Sequence, residues 1–203
     1  MLPAGPDKPY SESCERNREP ILAVLREHFA DRREVLEIGS GTGQHAVHFA
    51  AALSQLVWQC SDRDENLAGI RAWLADAALQ NTPPPLNFDV DGDWPQARYD
   101  AVFSANTLHI MSWEQVQKLF AGLPQLLTED GVVVIYGPFV YRHQPTAPSN
   151  EAFDTLLRKR DPRMGLRCAE DVDRLAAAVG LRLIDDQAMP ANNRCRIWTR
   201  APR

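Results

Sequence analysis

Only four of the 203 residues are cysteines (Cys14, Cys60, Cys168 and Cys195), and no two stand at C-x-x-C spacing. Without such a pair neither a zinc ribbon nor a thioredoxin-type motif is expected. His45 and His48 lie three apart on a helical stretch, but no third ligand follows at suitable spacing, so no metal site is expected. Basic charge is also short: 22 Lys and Arg against 27 Asp and Glu leave a formal charge of −5. That balance carries no electrostatic footprint for a nucleic-acid backbone, and no nucleic-acid partner is expected. The Arg158-Lys159-Arg160 run reads as a solvated helix face. No apolar run approaches membrane-spanning length, and Met1–Pro9 carries none of the apolar core of a signal peptide. The expected setting is the reducing cytoplasm, without a membrane partner. Internal repeats are missing, as is any compositional break between domains. Residues 1–203 therefore read as one domain, long enough to bury a single sizeable core.

Strand and helix signals alternate along the chain. Residues 1–9 are rich in proline and glycine and should lie loosely on the surface. Pro20 stands where proline opens a helix, and Ile21, Leu22, Leu25 and Phe29 then recur at helical spacing. Strands are predicted at Val35–Gly39, Val57–Ser61, Leu86–Phe88, Tyr99–Ser104, Val132–Tyr136, Leu181–Ile184 and Arg194–Arg200. Between them helices are predicted after Gly43, over Asn66–Leu79, after a Ser112 cap, from about Asn150 and over Ala169–Val179. The β-branched run Val132–Ile135 marks a central strand covered on both faces. Alternating β and α units imply a mostly parallel sheet with helices on both sides.

The first strand runs into glycines at every second position: Val35-Leu36-Glu37-Ile38-Gly39-Ser40-Gly41-Thr42-Gly43. A turn this tight before a helix lets backbone N–H groups approach a ligand closely. Dinucleotide turns usually read G-x-G-x-x-G, so the G-x-G-x-G spacing disfavours a nicotinamide oxidoreductase. Open parallel sheets bind ligands at the carboxyl ends of their strands. Here those ends carry Glu37–Gly43, Asp62, Asp89, Ser104–His109 and Tyr136–Phe139. Two acids at successive strand ends suit a nucleoside, because a ribose diol and an exocyclic amine both donate and carboxylates accept. Asp64 rivals Asp62, since a strand end read from sequence is uncertain by a residue or two.

The glycine turn, Asp62, Asp89 and the Tyr99-Asp100-Ala101-Val102 strand resemble motifs one to four of class I S-adenosylmethionine-dependent methyltransferases, and Leu126–Val132 resembles their helix–turn–strand step. The resemblance spans about residues 30–140. It implies a Rossmann-like α/β fold with a seven-stranded sheet whose last strand, Arg194–Arg200, runs antiparallel. It also implies S-adenosyl-L-methionine as cofactor. Glu37, Gly39, Ser40, Gly41 and Gly43 would then lie at its methionine part. Asp62 would take the ribose, Asp89 with Val90 the adenine, and Asn106 to Leu108 the floor beneath the sulfonium. Methyl transfer needs mainly alignment, and a base only if the acceptor is protonated. His109 is the best placed base, with Tyr136 and Tyr10 behind it.

A narrower resemblance spans nearly the whole chain. Pro9–Ser13 with Arg16-Asn17, Ala105–Trp113, Gly137-Pro138-Phe139, Ser149-Asn150, Phe153-Asp154 and Arg160-Asp161-Pro162 are similar to small stand-alone methyltransferases that include the methyltransferase-like 26 proteins. It implies a substrate pocket lined by Tyr10, Ser13, Arg16, Asn17, His109, Tyr136, Phe139 and Asn150. Residues 1–20 would form a lid and 138–165 a substrate-side insertion. Asn-Pro-Pro-Tyr is absent from the fourth-strand end and no cysteine follows a proline, so a small-molecule acceptor fits better than adenine, glutamine or cytosine. Two other readings share the fold: an aminopropyl transferase, whose polyamine pocket calls for lining acids that are not seen after the fourth strand, and a non-catalytic nucleoside-binding module.

Overall fold

The computed structural model describes residues 8–200. The predicted loose terminus lies largely outside the described residues, as residues 1–7 do. The chain alternates α1 (Glu12–His28), β1 (Glu34–Ile38), α2 (Gln44–Ala52), β2 (Val57–Asp62), α3 (Asp64–Ala77), β3 (Leu86–Asn87), β4 (Tyr99–Ala105), α4 (Trp113–Leu126) and β5 (Leu127–Gly137). It continues through β6 (Phe139–Val140), α5 (Pro148–Arg160), β7 (Arg167–Cys168), α6 (Ala169–Ala178), β8 (Leu181–Met189) and β9 (Asn193–Arg200). Seven strands form one sheet in the order β3-β2-β1-β4-β5-β9-β8, and β6 pairs with β7 apart from it. β1 to β5 run parallel, and β9 is antiparallel to both of its neighbours. This is the Rossmann-like class I methyltransferase fold, with helices on both faces.

The two faces are visible within β5 alone. Val132, Val134 and Tyr136 pack with Ile21, Leu25 and Phe49 on the side of α1 to α3. Val133 and Ile135 pack with Val116, Leu119 and Phe120 of α4 and Val172 of α6 on the other. An unbroken apolar run is what a strand buried on both sides requires, because successive side chains point to opposite faces. Ser112 caps α4 as expected, its hydroxyl accepting the Gln115 N–H at 3.2 Å while the Gln115 side chain accepts the Ser112 N–H.

Two element readings change. Pro20 does not open the first helix; α1 begins at Glu12 and Pro20 lies inside it. Proline removes one hydrogen bond there, and tertiary contacts hold the preceding turns. Gln44 accepts the Ser11 N–H at 2.5 Å and donates to Glu15 at 3.1 Å, while buried Asn17 pairs with His45 at 2.7 Å. The strand read as Leu181–Ile184 runs on to Met189. Asp185 and Asp186 break its apolar pattern, but the strand pairs along its length with β9, and Arg194 donates to Asp186 at 2.7 Å.

Strand order reverses at β1, which lies between β2 and β4. The carboxyl ends of β1 and β4 therefore splay apart, and a crevice opens between them.

Candidate functional site

A cleft of about 1310 Å³ opens at that reversal. Of the cofactor-side residues expected from sequence, Gly39, Ser40, Gly41, Asp62, Asp89, Val90 and Asn106 line it. Of the substrate-side residues, Ser13, Arg16, Asn17, His109, Tyr136 and Asn150 line it as well. Five expected residues stand elsewhere. Glu37 lies beneath the turn, and Gly43 is the N-cap of α2. Leu108 packs into the core beside α4, and Phe139 is buried with the Arg196 guanidinium 5.4 Å from its ring. Tyr10 is 63% exposed and off the cleft.

The glycines do different work. A Cβ on Gly43 (φ +89°) would meet Ile70 Cα at 3.2 Å and Trp73 Cβ at 3.3 Å, so this glycine lets α2 and α3 close together. A Cβ on Gly41 (φ +58°) would meet no protein atom within 4 Å. That face of the turn is open to whatever enters the cleft, and its φ suits glycine best. Below the turn, Glu37 is 1% exposed, and its Oε2 accepts from Ser40 Oγ at 2.9 Å and from Trp58 Nε1 at 3.1 Å. Burial pushes its carboxyl up to about 7 against those two hydrogen bonds. The position therefore fixes the shape of the turn from underneath.

Asp62 closes β2. Its Oδ2 accepts the Gly41 N–H at 2.7 Å; its Oδ1 accepts from the Arg63 N–H and from Asn66 Nδ2, both at 2.8 Å. The carboxylate is locked in place while facing the cleft, and an ionised carboxylate has about four acceptor sites in all. Asp64 instead opens α3 and is exposed. Asp89 follows β3, its Oδ1 accepting the Asp91 N–H at 2.9 Å. At the end of β4, Asn106 adopts φ +57° and donates its N–H to the Tyr136 carbonyl at 2.9 Å. A left-handed non-glycine residue at this end is a strained position of the sort that accumulates at functional sites.

The floor holds polar groups brought from three elements. His45 Nε2 meets Asn17 Oδ1 at 2.7 Å, and Tyr136 lines the same floor. Burial holds His45 down to about 4 and pushes the Tyr136 phenol up, so both are uncharged at neutral pH. His109 is 6% exposed, with its ring edge-on to Phe153 at 5.2 Å. Burial first and then the Arg167 charge hold it down to about 4. Arg167 staples this wall together, donating from Nε to the Leu108 carbonyl at 3.0 Å and from Nη2 to the Met111 and Arg163 carbonyls. Among the described residues no group of three His, Cys, Asp or Glu is arranged to hold a metal ion. No helix there is long and apolar enough to cross a membrane.

His45, Gln44 and Arg167 were not singled out as site residues from sequence. Gln44 and His45 immediately follow the glycine turn, which was the available signal. Arg167 offers none, because its partners are backbone carbonyls.

The profile of a family of proteins of unknown function, DUF938, matches residues 8–200. The chain belongs to the DUF938 family. Among solved structures, an O-methyltransferase family protein from Burkholderia thailandensis is similar over 94% of this chain and 58% of its own, with a TM-score of 0.82 at 15% identity. The mitomycin 7-O-methyltransferase MmcR is similar over 93% and 54%, with a TM-score of 0.83 at 18% identity. Human N-acetylserotonin methyltransferase, solved in complex with SAM, is similar over 94% and 53%, with a TM-score of 0.78 at 13% identity. The DUF938 chain thus spans a little over half the length of these structures. At such identities the likeness is one of fold.

Proposed function

We propose that this DUF938 chain is an S-adenosylmethionine-dependent methyltransferase acting on a small molecule, akin to the methyltransferase-like 26 proteins it resembles. One observation carries the reading: the open face of Gly41 and the locked Asp62 carboxylate share the strand-reversal crevice, with a second acid, Asp89, one strand away. The residues fit the cofactor. Asp62 has acceptor capacity left for a ribose diol, Asp89 accepts an adenine amine, and Val90 and Phe88 supply apolar wall for a purine. Bound there, the cofactor would supply a methyl group already activated on a sulfonium.

The chain's own task is then alignment. Asn106 and Tyr136 border the floor, beside the paired Asn17 and His45 side chains. His109, an uncharged imidazole at neutral pH, orients the acceptor or receives its proton. Residues 8–20 cover the glycine turn: Trp73 Nε1 donates to the Pro9 carbonyl at 2.6 Å, and Gln44 holds Ser11 and Glu15. Together with 138–165 they close the acceptor side. The four free thiols suit a reducing compartment.

Thermal unfolding with S-adenosylmethionine, S-adenosylhomocysteine and NAD tests the assignment. The first two should raise Tm and NAD should not; no shift with either nucleoside would sink it. A Gly41→Ala variant gives a second check. Its methyl group touches no protein atom, so the expected stability loss is only about 1 kcal/mol, the left-handed penalty. The same methyl stands in the cofactor's path and should weaken S-adenosylhomocysteine binding at least about tenfold, a cost of about 1.4 kcal/mol. Calorimetric titration beside urea unfolding separates the two effects.

A further inference from the structure

Past His109 the cleft changes chemistry. Its outer wall comes from α5 and the turn after it, which contribute Phe153, Arg160, Asp161 and Arg163, with Arg16 of α1 also lining the cleft. The one carboxylate on that wall, Asp161, is already taken: Arg163 donates to it from Nε at 3.1 Å and from Nη2 at 2.7 Å. Arg16 rests on exposed Glu12 at 3.3 Å. Arg160 forms neither an ion pair nor a side-chain hydrogen bond among the described residues, whereas Arg158 on the same helix is paired with Asp154 at 2.7 Å. The wall therefore presents an uncommitted guanidinium and an excess of positive charge in a chain whose formal charge is −5. Apolar surface lies on the same cleft, with Phe153 37% exposed and Ile110 47% exposed. The His109 imidazole is buried, lines the same cleft with its ring 5.2 Å from Phe153, and has no hydrogen-bond partner for its ring nitrogens among the described residues.

We propose that the acceptor is a small oxyanion-bearing molecule, an apolar body against Phe153 and Ile110 with a carboxylate or phosphate group held by Arg160. The inference rests on the methyltransferase reading of the same cleft and names its substrate class. A guanidinium meets such an oxyanion through two parallel N–H donors, a geometry that a lone ammonium does not offer. Water inside the cleft is displaced by the apolar body, which strengthens the ionic contact at its rim.

The test uses the full chain with saturating S-adenosylhomocysteine and a library of small matched sets: aromatic and aliphatic carboxylic acids, their phosphate-monoester counterparts and their primary amides. Ligand-observed NMR reports binding. Acids or phosphate monoesters should bind where the amides do not, and the two anion arms show which oxyanion is preferred. Arg160→Gln, a surface change, should weaken the anionic binders by about tenfold, as expected for losing one charge-assisted contact. Amides binding as well as the anions, no anion binding, or Arg160→Gln leaving anion affinity unchanged would overturn the proposal. Failure of S-adenosylhomocysteine itself to bind, measured first on the same sample, would overturn the methyltransferase reading along with it.

Discussion

Asp62→Ala should cost at least about a hundredfold in S-adenosylhomocysteine affinity, whereas Asp64→Ala should leave that affinity unchanged. The magnitude follows from two hydrogen bonds to a charged acceptor, each worth about 1.5–3 kcal/mol. The contrast follows from position. Asp62 ends β2 facing the cleft, fixed by Gly41, Arg63 and Asn66. Asp64, only two residues on, has turned into the first turn of α3. Asp62→Ala also frees the Gly41 and Arg63 N–H groups and Asn66 Nδ2, but all three residues border the open cleft and these groups can turn to water. The expected stability loss is therefore about 1–2 kcal/mol, too little to unfold the chain. Calorimetric titration of both variants, with urea unfolding as the control for folding, decides the matter. Equal affinity in Asp62→Ala and the parent would remove the ribose role from that carboxylate.

What the sequence could and could not reveal divides by range. The glycine turn, the strand-end acids and the Ser112 cap are local signals, and each stands where its spacing placed it. The two-faced burial of Val132–Tyr136 was legible for the same reason, since an unbroken apolar run has one natural home in a parallel sheet. Pro20 misled because a local rule met a tertiary one: Gln44 and His45 anchor the turns before the proline, and no pattern within α1 records that. β8 was read short because Asp185 and Asp186 look like a turn until Arg194 and Arg196 of β9 are laid beside them. The Asn17–His45–Tyr136 group joins three elements, so nothing near any one of its residues announced the other two. Glu37 illustrates the middle case. Its place before the glycines suggested the ligand, but its side chain turns under the loop to Ser40 and Trp58, and Trp58 is a long-range partner on β2.

That buried carboxylate sets the second large effect, on stability as a function of pH. Glu37 is raised from 4.5 to about 7 in the folded chain, chiefly by burial. Between those values the folded state binds more protons than the unfolded one, so its contribution is complete below pH 4.5 and is lost as pH rises toward 7. His45 and His109 are each lowered from 6.5 to about 4, again chiefly by burial. Their contributions are complete above pH 6.5 and are lost as pH falls toward 4. Each of the three amounts to about 3 kcal/mol at most, and the carboxylate opposes the two imidazoles over nearly the same window. Glu37→Gln should therefore lose about 3 kcal/mol more than the parent between pH 7 and pH 4. Glutamine is the right probe because both hydrogen bonds to the turn arrive at one oxygen, Oε2, which an amide oxygen replaces while its NH₂ stands where the protonated carboxyl keeps its O–H. At pH 8, where the parent carries a buried charge and the variant does not, Glu37→Gln should be the more stable of the two. Urea unfolding of both proteins from pH 4 to pH 8 reads this directly. Parallel curves would mean that the Glu37 carboxyl titrates no differently in the folded and unfolded chain, and the turn would then rest on an ordinary ionised acid rather than on one that burial keeps protonated into the neutral range.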